Sequence, residues 1–167
     1  MTGHQGGTRS AAAVSANEVD AVLTACRVLV AVSARSIASV ADEGIDITQF
    51  RALVIVASRR AVSLGELATS AGLNLSTASR MCDRLVGMNL LHRAEDPANR
   101  RQLVLTSTDQ GRRIVSRVTR RRRTAIEPML RKLPKARRAL LVDLLEELAV
   151  AGGVPAEHDL WAMGWTS

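Results

Sequence analysis

The fold is decided by one stretch, residues 63–101, which reads SLGELATSAGLNLSTASRMCDRLVGMNLLHRAEDPANRR. It opens with Ser63, a favourable helix N-cap, and Glu66 three residues later completes a capping box. Gly72 ends this short helix, because glycine accepts the left-handed backbone that a helix C-terminus requires. Asn74 then caps a second helix, so the stretch begins as a helix, a tight turn and a helix.

The second helix, predicted over residues 75–88, has two chemically different faces. The face predicted to be buried carries Leu75, Ala78, Met81, Cys82 and Leu85. The opposite face carries Ser76, Thr77, Ser79, Arg80, Asp83 and Arg84. Short hydroxyl side chains and an arginine near a helix N-terminus are the groups that read base edges in the major groove of DNA.

A β-hairpin is predicted next, with strands at residues 90–93 and 102–106. The tetrapeptide at 96–99, DPAN, is strong turn chemistry between them. Arg100 and Arg101 follow at the tip, where adjacent guanidinium groups suit a narrow minor groove or its flanking phosphates. Two helices followed by a basic hairpin predict a winged helix-turn-helix.

Residues 48–148 resemble the MarR family of bacterial transcriptional regulators. The segment LSTASRMCDRL resembles the recognition helix of that family, and NLLHRAEDPANRRQLVLTSTDQG is similar, without gaps, to its strand–wing–strand signature. The resemblance implies a mainly α (α+β) fold in which N- and C-terminal helices form a dimerisation bundle. It implies a homodimeric repressor that binds an inverted-repeat operator in double-stranded DNA and is relieved by a small-molecule effector. A cytoplasmic location is expected because Cys26 and Cys82 do not make a disulfide framework.

Three positions depart from the family pattern. Asn89 stands where glycine is usual, and the turn should survive because asparagine is the next-best left-handed residue. Asn99 stands where aspartate is usual in the wing, which removes one charge that could orient the arginines. Ser107 stands where a buried leucine is usual, which weakens the end of the second strand.

The site predicted from the motif and the resemblance is a DNA-binding surface. Its residues are Asn74, Ser76, Thr77, Ser79, Arg80, Arg84, Arg100 and Arg101. We expect Arg80 to contact a guanine and Arg101 to make the wing contact, assisted by Arg100. Asp96 is expected to support the wing by holding these arginines through a charge-assisted hydrogen bond.

Composition agrees with a helical protein that binds a polyanion. The chain has 167 residues, which suits one domain, and 47% are apolar although only 2% are aromatic and none is tyrosine. Its core must therefore be aliphatic. The net charge of +7 and the pI of about 11.1 indicate a polyanion partner, although charge alone fits a basic protein with no nucleic-acid role equally well.

The predicted organisation has three parts: a disordered N-terminus at 1–14, a winged helix-turn-helix domain at 15–151, and a C-terminal tail at 152–167. Within the domain, residues 45–107 form the DNA-binding lobe, and residues 15–44 and 108–151 supply dimerisation helices. The tail, with Trp161 and Trp165, is expected to be either a short helix or disordered.

Apolar stripes, capping residues and a proline predict the remaining helices. The first is predicted from Ser15 to Glu43, with an apolar stripe too long for one small lobe to cover, so that part should face another subunit. Thr48 is expected to cap the next helix, which carries the only Phe, and Thr108 to cap a later one. Seven arginines between residues 112 and 123 indicate either a solvated positive face or a field that attracts DNA. Pro134 starts the last helix, which has a dense leucine stripe.

No catalytic, cofactor or metal motif is present, so we expect no enzyme activity. No disulfide is expected between Cys26 and Cys82, and no segment is expected to supply the roughly 20 apolar residues that span a bilayer.

Cys26 resembles the position of a peroxide-sensing cysteine in one branch of the family, but this chain lacks the tyrosines of that branch. A small buried apolar residue is the favoured interpretation of Cys26, and Cys82 is predicted to lie in the core. Two alternatives therefore stay open: a thiol-based redox regulator, and a winged-helix protein-interaction module that does not read DNA.

Overall fold

The computed structural model describes residues 13–59, 61–96 and 99–152, with the backbone alone at residue 96 and residues 99–102. The helices are α1 (Ala16–Ala38), α2 (Ile47–Ala57), α3 (Leu64–Ala71), α4 (Leu75–Gly87), α5 (Asp109–Arg131) and α6 (Lys135–Ala151). The strands are β1 (Val62–Ser63), β2 (Leu91–Asp96) and β3 (Asn99–Ser107). The chain divides into two units, Met1–Ala31 and Val32–Ser167. This is the mainly helical winged fold that the sequence predicted.

The three strands form an antiparallel sheet in the order β1–β3–β2. The hairpin was predicted, but β1 was not, because two residues directly before a helix cap are too short to show an alternating pattern. Val62 pairs with Leu105, and Leu91 pairs with Ser107 at the far end of β3. The short strand therefore fastens the start of α3 to the hairpin.

The core of the Val32–Ser167 unit is aliphatic, as the composition predicted. Its fully buried side chains include Leu53, Leu67, Leu85, Leu90, Leu91, Leu105, Val56, Val62, Val115 and Val118. Phe50 is also buried, and Cys82 lies in the same cluster with no exposed area. Burying each large aliphatic side chain stabilises the fold by about 1.5–3 kcal/mol, so this cluster fixes the helices beneath the winged segment.

The first helix ends earlier than predicted. Helix α1 stops at Ala38, and a 3₁₀ turn at Ala41–Glu43 precedes Gly44, whose φ is +74°. The prediction of a helix through Glu43 was wrong because Val40 leaves the helical path and is fully buried in the core. An apolar stripe cannot distinguish a continuing helix from a turn that also buries its apolar residue.

The cap of α2 was assigned to the wrong residue. Asp46, not Thr48, caps this helix: its carboxylate accepts a hydrogen bond from the backbone N–H of Gln49 at 2.8 Å. The Gln49 side chain accepts from the backbone N–H of Asp46 at 3.0 Å, which completes a capping box. The pair satisfies two backbone donors at once, which a Thr48 cap would not do.

Helix α1 contradicts the prediction that no segment is long and apolar enough to span a bilayer. An 18-residue window within it has a mean hydropathy of 1.6, so by length and composition alone the helix could cross a membrane. Only 17% of that window is buried. Its exposed apolar side chains are Val19, Val22, Leu23, Val28, Leu29 and Val30. Apart from Val28, which lies on the other side of the helix, these residues belong to the apolar stripe, part of which is predicted to face another subunit.

Helix α5 begins as predicted, at a Thr108 cap. The Thr108 hydroxyl accepts from the backbone N–H of Gly111 at 3.0 Å and donates to the carbonyl of Asn89 at 2.8 Å. Asn89 has a φ of +56°, which confirms that asparagine holds the left-handed turn before the hairpin. The cap therefore ties α5 to the chain leaving α4.

Helix α6 carries the predicted leucine stripe on its surface. Leu140, Leu144, Leu145 and Leu148 are 48–57% exposed. Over Lys135–Ala151, all of which the structure describes, no residue is buried. The tail with Trp161 and Trp165 lies outside the described residues, as do residues 1–12 of the predicted disordered segment.

Candidate nucleic-acid interface

Helix α3 begins at the predicted capping box and ends at the predicted glycine. The backbone N–H and hydroxyl of Ser63 donate to Oε2 of Glu66 at 2.8 and 2.7 Å, and the Glu66 N–H donates to the Ser63 hydroxyl at 3.2 Å. The backbone hydrogen bond, followed by the hydroxyl, lowers the pKa of the Glu66 carboxyl. Gly72 has a φ of +69°, which turns the chain sharply into α4.

The start of α4 is ordered by Asn74. Its side-chain oxygen accepts the backbone N–H of Thr77 at 2.8 Å and the hydroxyl of Ser76 at 2.9 Å. The Ser76 hydroxyl is consequently oriented, and its oxygen remains able to accept a hydrogen bond. Asn74 therefore positions the helix end on which the predicted base contacts lie.

The polar face of α4 is open to solvent at this end. Ser76 and Arg80 are exposed, whereas Thr77 and Ser79 are half-buried. Behind them, Ala78, Met81, Cys82 and Leu85 are buried, as predicted. The structure thus places hydroxyl and guanidinium groups together on one accessible surface.

Leu75 contradicts the predicted division of this helix into two faces. It was expected on the buried face, yet it is 58% exposed. As the first residue of α4 it precedes the turns that pack on the core, so helical periodicity alone misplaced it. Leu75 therefore lies on the accessible end of the helix, where it was not predicted.

The middle of α4 is held by contacts to other elements. Nη2 of Arg84 donates to the carbonyl of Gly44 at 3.2 Å, in the turn that precedes α2. Asp83 forms an ion pair with Arg93 of β2 at 2.8 Å. Arg84 was predicted as a DNA contact, and the structure gives it a partner within the protein as well. The Asp83–Arg93 pair was not predicted, since its partners meet only after the chain folds.

In the wing, the end of the β2–β3 hairpin, the structure describes the backbone of residue 96 and residues 99–102. Asp96 pairs with Asn99 across the hairpin end, with a register irregularity between Glu95 and Asp96. The side chains of Asp96, Arg100 and Arg101 lie outside the described part of the structure. Their contributions to a wing contact therefore stay predictions.

Comparisons with known proteins agree on one family. The MarR family model matches residues 45–103. The crystal structure of RV1404 from Mycobacterium tuberculosis is 45% identical in sequence, covers 86% of this chain and 98% of that one, and superimposes with a TM-score of 0.74. The chain belongs to the MarR family.

Two further structures extend the comparison. The transcriptional regulator Tm0710 from Thermotoga maritima is 27% identical, with coverage of 81% of this chain and 94% of that chain and a TM-score of 0.64. A MarR family protein from Bacillus stearothermophilus has the same fold, at 20% identity, coverage of 84% and 99%, and a TM-score of 0.73. No curated protein sequence matches the chain. Membership of the MarR family makes this protein a transcriptional regulator.

A basic cavity lies beside α5 in this MarR-family protein. Its volume is about 750 Å³, and its lining is Glu43, Gln110, Arg113, Ile114, Ser116, Arg117, Arg120 and Arg121. Glu43 forms an ion pair with Arg117. In the described part of the chain, Arg113, Arg120 and Arg121 have no carboxylate within ion-pair distance, so the cavity has an excess of positive charge.

The two cysteines of this regulator differ in environment. Cys82 is fully buried, and burial raises the pKa of its thiol to about 11. Cys26 is exposed in the single chain, contrary to the favoured expectation that it would be buried. Both are free thiols, as predicted. Cys82 is therefore a core residue, with its reactive thiolate form suppressed.

Proposed function

We propose that this protein is a cytoplasmic, homodimeric repressor that binds an inverted-repeat operator in double-stranded DNA. The observation that carries the proposal is the accessible N-terminal end of α4, where Ser76 and Arg80 are exposed above a fully packed inner face. A helix end of this kind enters the major groove in helix-turn-helix proteins. The net charge of +7 favours approach to the phosphate backbone.

The proposed contacts divide between bases and phosphates. Arg80 donates two hydrogen bonds to a guanine, while Ser76, Thr77 and Ser79 share the neighbouring base edges and phosphates. Arg84 contacts a phosphate with the guanidinium N–H groups that its bond to Gly44 leaves over. Arg101, assisted by Arg100 and supported by Asp96, makes the wing contact.

Two chains are proposed to associate through α1 and α6. Both helices expose apolar stripes in the single chain, and the leucines of α6 are about half exposed. Contiguous apolar faces of this kind mark association surfaces. A two-fold dimer would place two α4 helices in successive major grooves, roughly 34 Å apart along the DNA.

An anionic effector is proposed to relieve repression by occupying the basic cavity of α5. An anion there would compete with Glu43 for Arg117. Gly44, the residue after Glu43, accepts the hydrogen bond from Arg84 of α4. Displacing Glu43 from Arg117 would therefore shift the turn that holds Arg84, and with it the recognition helix. Relief requires that the effector bind the DNA-free conformation more tightly than the DNA-bound one.

The test is equilibrium binding, by fluorescence anisotropy, to the DNA that adjoins the protein's own gene. Arg80→Ala should weaken specific binding by about 1–3 kcal/mol and relax the sequence requirement at one position per half-site. Lys132→Ala removes the same charge from an exposed residue at the end of α5, outside the two helices of the proposed dimer interface, and is the matched control.

Three results would count against the proposal. Equal losses for the two variants would show that only total charge matters. A uniform loss on all sequences for Arg80→Ala would reassign Arg80 to the phosphate backbone. No binding by the wild-type protein at low salt would favour the protein-interaction alternative.

A further inference from the structure

Leu75 is an exposed apolar side chain on the surface that the regulator is proposed to present to DNA. Among the residues of α4, all of which are described, it is the one large apolar side chain that is exposed, at 58%. By contrast, Leu64, the first residue of α3, and Leu73, in the turn before α4, both pack against the core. Core packing therefore does not explain leucine at this position.

Its place on the helix puts Leu75 among the proposed base-reading groups. Residues four apart on a helix are surface neighbours, so Leu75 lies beside Ser79 and Ser76 lies beside Arg80. The Asn74 cap fixes the first turn on which Leu75 stands. The side chain therefore projects from the ordered end of α4, beside Ser79 and on the same exposed helix end as Ser76 and Arg80.

The chemistry of the major groove restricts what a leucine can recognise there. Base edges present hydrogen-bond donors and acceptors, with one apolar exception, the C5 methyl group of thymine. Leucine has no hydrogen-bonding group, and placing it against a donor or acceptor would leave that group desolvated and unpaired. A thymine methyl is the one favourable partner.

We propose that Leu75 is a specificity-determining residue, which selects a T·A base pair in each half-site through apolar contact with the thymine methyl group. The inference rests on the proposed function. Removing one methyl from such a contact should weaken binding by about fourfold, the value of one buried CH₂ group.

The experiment uses the full-length protein and the tightest-binding duplex that it selects from a random-sequence pool. Each thymine is replaced in turn by deoxyuridine, symmetrically in both half-sites, which removes the methyl and keeps the hydrogen-bonding groups. Anisotropy titrations should show one position at which the replacement weakens wild-type binding by about fourfold per half-site. Leu75→Ala should bind the thymine duplex more weakly than wild type and be indifferent to deoxyuridine at that position.

Ile47→Ala is the matched control, because Ile47 is also the first residue of a helix, α2, and is 64% exposed. It should keep the full dependence on the methyl group. The inference is overturned if Leu75→Ala keeps that dependence, if no deoxyuridine replacement weakens wild-type binding, or if the selected half-sites contain no thymine. Those results leave specific DNA binding intact, whereas failure to select any duplex would overturn the proposed function as well.

Discussion

At Gly111, α5 approaches the chain leaving α4 too closely for any side chain. A Cβ atom added there would lie 2.2 Å from the carbonyl oxygen of Leu90 and 3.1 Å from the hydroxyl of Ser107. The oxygen belongs to the backbone, so it cannot rotate away. The same carbonyl accepts the backbone N–H of Thr108 at 3.2 Å, which fixes the junction between the hairpin and α5.

Gly111→Ala should therefore destabilise the protein by about 1–3 kcal/mol, since a core junction must shift to admit the methyl group. Urea denaturation followed by circular dichroism measures the change. Gly65→Ala is the control: it is also a helical glycine, but an added Cβ would meet no atom within 4 Å. That variant should gain roughly 0.5–1 kcal/mol from reduced chain entropy. Equal stability of the two variants would contradict the close approach at Leu90.

Asn89 and Leu75 show that a residue's backbone conformation was predictable from the sequence, whereas its burial was not. Asn89 was placed correctly in the left-handed region, because few residue types tolerate a positive φ. Leu75 was placed wrongly, because helical spacing does not say where a helix begins to contact the core. The side-chain partners of Arg84 and Asp83 could not be predicted, since Gly44 and Arg93 approach them only through the tertiary fold.

At the scale of elements, the capping box at the start of α3 contains a titratable group, the carboxyl of Glu66. The lowered pKa of Glu66 means that its carboxylate is stabilised in the folded protein relative to the unfolded chain. That contribution is complete above the unfolded value of 4.5 and is lost as pH falls through the lower folded value.

Glu66→Gln should accordingly lower the urea midpoint at pH 7, and the difference from wild type should shrink as the pH falls below 4.5. Ser63→Ala keeps the backbone N–H that donates to Glu66 but removes the hydroxyl, so it should reduce the pH-dependent part of the effect without abolishing it. A difference between wild type and the Glu66→Gln variant that stays constant from pH 7 to the acid limb would contradict this origin of the pKa shift.

The elements were predictable wherever a cap or a turn residue marks them. Ser63, Gly72, Asn74 and Thr108 were each assigned their observed roles. The N-cap of α2 was mispredicted because both Asp46 and Thr48 are favourable capping residues. The end of α1 was mispredicted because Val40 is buried in a turn although it continues the apolar spacing of the helix. Strand β1 exists only through its pairing with β3 and leaves no local pattern in the sequence.

At the scale of the whole molecule, the proposed dimer requires that the apolar face of α6 be covered by a second chain. Leu144 and Leu148 are about half exposed in the single chain and lie one helical turn apart. Charges placed at both positions would have to be buried in the proposed interface, which is strongly unfavourable.

The double variant Leu144→Glu with Leu148→Glu should therefore sediment as a monomer and lose operator binding. Val142→Glu is the control, because Val142 is 53% exposed but points away from the leucine stripe by helical geometry. Sedimentation velocity distinguishes the two outcomes. A double variant that remains dimeric would exclude the leucine stripe from the interface.

The central claim, that two linked α4 helices read two half-sites on one face of DNA, is tested most directly by changing the spacing of those half-sites. The measurement is the equilibrium affinity for the selected operator and for the same operator with about five base pairs, half a helical turn, inserted between its half-sites. We predict that the insertion weakens binding by roughly 100-fold, because one recognition helix then meets the wrong face of the duplex. Equal affinity for the two duplexes would contradict the claim.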